Sequence, residues 1–109
     1  MYTYSAFVTN VVDGDTFDAV VDLGFHVKIE LRFRLLGVDT AELRSKDKKE
    51  KELALEAKKE VESLILNQTV LIKTEKTGSF GRWLAEVFPS SINQSLNRHL
   101  LEKSLAKKY

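Results

Sequence analysis

The chain has 109 residues, 43% of them hydrophobic and 30% charged, a size and balance that exclude a disordered, collagen-like or low-complexity polypeptide. With no cysteine and two histidines it cannot form disulfides, thiolate metal sites, iron–sulfur clusters or a cysteine nucleophile, whereas its 16 Asp and Glu leave oxygen coordination open to a metal. Its 17 Lys and Arg bring the formal charge to only +1, so a polyanionic partner would have to be held by locally placed cations rather than by long-range attraction.

In chain order, apolar residues first recur at every second position. Phe7, Thr9 and Val11 are followed by Phe17, Ala19, Val21 and Leu23, then by Val27, Ile29, Leu31, Phe33 and Leu35. This period predicts three half-buried strands, and Asp13-Gly14 and Asp22-Leu23-Gly24 supply the turns of a meander. A charged run, Arg44 to Glu52, leads into Leu53, Ala57, Val61, Leu64 and Ile65, whose spacing predicts a helix with one apolar stripe that ends near Asn67. Val70 and Ile72 resume the strand period. Thr77 to Gly81 read as a loop, and Trp83 to Phe88 as a fifth strand stopped by Pro89. Ile92, Leu96, Leu100, Leu101 and Leu105 predict a last helix capped by Ser90 or Ser91. Five strands with a helix between the third and fourth imply a mainly β, α+β fold, a five-stranded OB-type Greek-key barrel with two main helices, spanning 1–109 as one domain. No window is apolar enough to span a bilayer, and Met1 to Asn10 lacks a basic head followed by an apolar stretch. The expectation is a monomer without a membrane partner, with a cytoplasmic location favoured and a secreted mature form left open.

Three segments carry candidate chemistry. Asp13-Gly14-Asp15-Thr16 places two carboxylates at a strand junction, although Asp-Gly is also a common hairpin turn. Arg34 stands among Phe33, Leu35 and Leu36, and a guanidinium in a buried run needs anionic partners, while Asp39, Thr40 and Glu42 fall within four positions beyond the strand end. Phe80-Gly81-Arg82 puts another arginine at the mouth of the next strand. The lysines that alternate with glutamates from Lys46 to Lys59 read as a solvated helix face, and His26 and His99 as surface or packing residues.

Together DGDT, FRLLGVDTAE and FGRWLA, with a polar helix between the second and third, resemble the staphylococcal (micrococcal) nuclease family from about Phe7 to Ala106. The resemblance implies Ca2+-dependent hydrolysis of DNA and RNA phosphodiesters, with 3′-phosphate ends and a preference for single-stranded or frayed substrate. By it, Asp15 and Asp39 are calcium carboxylates, the Thr40 carbonyl is a further ligand, and Asp13 stands just behind them. Glu42 activates the attacking water, and Arg34 and Arg82 hold the phosphate. Phe80 and Tyr109 are candidate substrate contacts. These residue types suit the reaction: a hard cation takes carboxylate oxygens, and a guanidinium donates two parallel hydrogen bonds to a phosphate. Three departures stand out. Ala41 replaces the family's proline and relaxes the loop that carries Glu42, while Ser79 and Phe80 replace a lysine and a tyrosine. The alternative expectation is a non-catalytic OB-type module that binds nucleic acid or protein.

Overall fold

The computed structural model describes residues 2–75 and 83–109. Strand β1 (Tyr2–Asp13) is followed by β2 (Thr16–Asp22), β3 (Lys28–Leu35) and a short β4 (Val38–Thr40). Helix α1 (Lys48–Ile65), β5 (Thr69–Glu75), β6 (Trp83–Phe88), α2 (Leu96–Glu102) and a short β7 (Ala106–Lys108) complete the order. Five strands close a barrel in the order β1-β2-β3-β6-β5, and β4 pairs with β7 in a separate two-stranded ribbon. The β3–β6 pairing is parallel and the other barrel pairings antiparallel, so this is the mixed OB-type barrel with two helices that the strand order implied. Among the described residues no helix is long and apolar enough to cross a membrane.

Long β1 closes the barrel by pairing with β2 along one edge and β5 along the other. Its inward face differs from the simple alternation. Ala6, Val8 and Val11 are buried, whereas Phe7 and Thr9 are exposed. A bulge between Val8 and Asn10 inserts the extra residue that changes the phase. The strand is anchored there by the segment after α1, since the Val8 N–H donates to the Gln68 carbonyl and the Asn67 N–H to the Val8 carbonyl. In β2 and β3 the expected face is buried at Phe17, Ala19, Val21, Phe33 and Leu35, with the Phe17 and Phe33 rings stacked 5.5 Å apart. Leu23, Val27 and Ile29 are exposed instead, because this end of the hairpin extends past the barrel.

Helix α1 starts at Asp47, whose carboxylate accepts from the Lys49 N–H. Its buried stripe is Ala54, Ala57, Val61 and Ile65, while Leu53 is 47% exposed. The helix is thus turned to present small alanines at its first turns, which permits a close approach to the barrel. The last helix also starts later than the period suggested. Ser95, rather than Ser90 or Ser91, is the cap, its hydroxyl accepting from the Arg98 N–H, and the helix ends at Glu102, so Leu105 lies beyond it. Ser104 takes a left-handed φ of 57° and turns the chain into β7.

Asn97 fastens α2 to the barrel from a buried position. Its amide donates to the Leu36 and Ala85 carbonyls at 2.8 and 3.1 Å, and its carbonyl accepts from the Val87 N–H at 3.1 Å. Truncation would strand main-chain groups away from water, a cost of about 1–3 kcal/mol for each unpaired group. Asn97→Ala is expected to destabilise the fold by about 3 kcal/mol, lowering Tm by about 15 °C in a thermal melt. A change of less than about 3 °C would show that these bonds matter little.

Candidate active site

The site grows from two junctions of the barrel. At the β1–β2 turn, Asp13 pairs with Thr16, and the Asp15 N–H donates to the Asp13 carboxylate at 3.1 Å, closing a tight loop. Gly14 keeps an ordinary negative-φ backbone, so turn strain is not the reason for a glycine here. Space is: a Cβ at this position would lie 2.9 Å from both the Ala57 Cβ and the Thr40 Cγ2. The glycine therefore lets α1 and β4 press against the turn that carries the two aspartates. The Asp15 carbonyl accepts from the Leu35 N–H at 2.8 Å, which ties this turn to the end of β3.

At the second junction, Gly37 with φ 76° reverses the chain from β3 into β4 and returns Asp39 and Thr40 toward the first turn. Arg34 lies opposite Thr16 in the β2–β3 pairing, its side chain 15% exposed. One of its terminal nitrogens reaches Asp39 Oδ1 at 3.0 Å and Asp15 Oδ2 at 3.5 Å, and the other donates to the Val38 carbonyl at 3.5 Å. Asp15 also accepts from the Thr40 N–H at 3.2 Å and from the Thr16 hydroxyl at 3.0 Å. Asp13, Asp15, Arg34, Asp39 and Thr40, spread over 28 positions of sequence from 13 to 40, thus come together.

Crowded negative charge perturbs the pair of aspartates. Burial, reinforced by the hydrogen bond and the charge of neighbouring Asp15, pushes Asp13 up to about 6. Burial also works to raise Asp15, but hydrogen bonds with Asp13, the Thr40 N–H and the Thr16 hydroxyl, together with the Arg34 charge, hold it below the usual carboxylate range. The donor set consists of oxygens alone, the chemistry that suits a hard cation, although here the Arg34 guanidinium is the cation that both carboxylates meet. Among the described residues no three acidic, histidine or cysteine side chains form a metal cluster, so a cation would need main-chain and water oxygens besides Asp15 and Asp39.

Glu42 sits apart from this knot. It is exposed and, among the described residues, its carboxylate has no ion-pair partner. It nevertheless lines the same groove of about 410 Å³ as Asp39 and Thr40, with the first turns of α1 on one side and Leu105 to Lys107 on the other. Arg82 and Phe80 lie outside the described residues. Tyr109 reaches the site through β7, which pairs Asp39 with Lys107 and Thr40 with Ala106, and its ring lies 4.7 Å from the Arg34 guanidinium carbon. Sequence reasoning passed over Thr16, Lys107 and the packing role of Gly14. The first could have been suspected from its place beside Asp15; the other two depend on distant chain segments.

A comparison with curated proteins finds no match. A family model described as staphylococcal nuclease homologue matches residues 32–109, a stretch that holds Arg34, Asp39, Thr40 and Glu42 but begins after Asp13 and Asp15. That match covers well over half of the chain and coincides with a closed OB-type barrel on which Arg34 pairs with carboxylates from two separate junctions, so the chain belongs to the staphylococcal nuclease homologue family.

Proposed function

We propose that this chain is a Ca2+-dependent nuclease that hydrolyses phosphodiester bonds in DNA and RNA, acting on single-stranded or frayed substrate and leaving 3′-phosphate ends. The observation that carries this reading is the Arg34 guanidinium set between Asp15 and Asp39, a fixed phosphate donor beside a pair of hard oxygen ligands.

Calcium bound by Asp15, Asp39, the Thr40 carbonyl and water would supply positive charge against the phosphate oxygens. So few protein ligands imply loose binding, with Kd of about 10⁻⁴ to 10⁻³ M. Arg34 presents a planar donor to a non-bridging phosphate oxygen and opposes the charge that builds up there as the nucleophile arrives. Its ion pairs with Asp15 and Asp39 keep the guanidinium oriented while its remaining N–H groups meet substrate. Arg82 is the second phosphate donor in this scheme. Glu42 takes a proton from a water, the resulting hydroxide attacks phosphorus, and the bond to the 5′ oxygen breaks as that oxygen takes up a proton from solvent, leaving a 5′-hydroxyl on one fragment and a 3′-phosphate on the other. Asp13, Thr16 and the Thr40 N–H hold the Asp15 carboxylate in place.

Denatured DNA or RNA incubated with the protein and calcium is expected to be cut, with 3′-phosphate ends on the products and complete suppression by a calcium chelator. Retained nucleic-acid binding without any chelator-sensitive cleavage would instead identify a non-catalytic OB-type module.

A further inference from the structure

The β4–β7 ribbon does more than extend the fold. Along β4, Val38 and Thr40 are buried, which leaves Gly37 and Asp39 on the open face. In the antiparallel register Lys107 is opposite Asp39, and the Tyr109 N–H donates to the Gly37 carbonyl at 3.0 Å. The open face therefore carries Asp39 and Lys107 side by side, with Tyr109 across from a glycine that offers no competing side chain. That empty position leaves the Tyr109 ring free to lie over Arg34, 4.7 Å from the guanidinium carbon.

The Arg34 guanidinium is thus constrained in two independent ways. Asp39, Asp15 and the Val38 carbonyl engage its terminal nitrogens, and its central carbon lies over the Tyr109 ring, 4.7 Å from the ring centroid. Hydrogen bonds to the terminal nitrogens alone leave a planar group able to rock about the axis of those bonds, whereas an aromatic ring packed against the group opposes that rocking, and the attraction of a cation to an aromatic face adds to the restraint. A group that must meet a phosphate with two parallel hydrogen bonds depends on its plane being set beforehand.

We infer that Tyr109 is a positioning residue for Arg34, acting through the face of its ring to hold the guanidinium plane in the orientation that receives the phosphate. This assignment rests on the nuclease reading for its kinetic consequence but not for its geometry. The phenolic hydroxyl has no role in it, so phenylalanine should serve equally well. Leucine preserves the main-chain bond to Gly37 and removes only the ring.

The test combines steady-state cleavage of denatured DNA at saturating calcium with NMR of the Arg34 Nε–H, which senses a ring stacked on the guanidinium. Tyr109→Leu is expected to lower kcat about three- to ten-fold, in keeping with the modest strength of an exposed cation–aromatic contact, while KM changes less than two-fold. The Arg34 Nε–H resonance should move downfield in this variant, and Tyr109→Phe should restore both kcat and the resonance. Wild-type kcat in Tyr109→Leu, an equal loss in Tyr109→Phe, or an unmoved resonance would each overturn the assignment. If the wild-type protein cleaves nothing, the nuclease reading fails by itself, and the resonance in the leucine and phenylalanine variants still decides whether the ring holds Arg34.

Discussion

Arg34→Lys is expected to reduce turnover on denatured DNA by about 10²- to 10³-fold while leaving a folded protein. The lysine would keep a positive charge near Asp15 and Asp39, so the pair of carboxylates would still have a counter-ion. It would lose the planar fork that contacts both carboxylates and the Val38 carbonyl and that lies over the Tyr109 ring. Charge alone should therefore protect stability but not rate. Arg34→Ala separates the two effects, because it leaves the buried Asp15 without its cationic neighbour and should lower both Tm and activity. Single-turnover rates at saturating calcium, paired with thermal melts, provide the comparison. Turnover of the lysine variant within ten-fold of wild type would show that a fixed guanidinium is not needed.

Glu42→Gln is expected to cost about 10²- to 10⁴-fold in turnover, the usual contribution of a positioned general base. The substitution keeps size and polarity and removes only the ability to accept a proton. Since Glu42 is exposed and has no ion-pair partner among the described residues, stability should change by less than about 0.5 kcal/mol. This combination of large kinetic and negligible structural effect distinguishes Glu42 from Asp15, whose carboxylate also holds the Thr40 main chain. Full turnover in Glu42→Gln with calcium saturating would exclude it as the base. Ala41 bears on the same residue, because an alanine leaves φ unconstrained where a proline would fix it. Among the described residues no side-chain hydrogen bond or ion pair holds Glu42 in the groove beside Asp39, and catalysis would depend on substrate and metal to orient it.

Much of the architecture was readable in the chain because burial repeats at short range. Phe17, Ala19 and Val21, then Phe33 and Leu35, face the core as the two-residue period required, and Ala57, Val61 and Ile65 do so at helical spacing. The Arg34 argument was equally local: a guanidinium in an apolar run must find anions, and it finds Asp15 and Asp39. Three other features followed from contacts that no local window contains. The β1 bulge that exposes Phe7 and buries Ala6 depends on pairing with β2 and on anchoring by Asn67 and Gln68. The choice of Ala54 over Leu53 as the buried position of α1 depends on how closely the helix approaches Gly14, Thr40 and the β1–β2 turn. Ser95 rather than Ser90 or Ser91 begins α2, with Asn97 already bonded to Leu36, Ala85 and Val87.

The sequence by itself therefore determined the alternation of the barrel strands and the order of the five barrel strands and two helices, and it supplied the carboxylates and guanidinium proposed for the site in a chain without cysteine and with a net charge of +1. Only the tertiary structure decided that β7 returns to pair with β4, that Tyr109 lies on Arg34, and that Asp13 and Asp15 crowd one another. The physical reason is that side-chain periodicity records which face of an element is buried, while register, bulge position and the meeting of distant strand ends are set by partners far away in the chain.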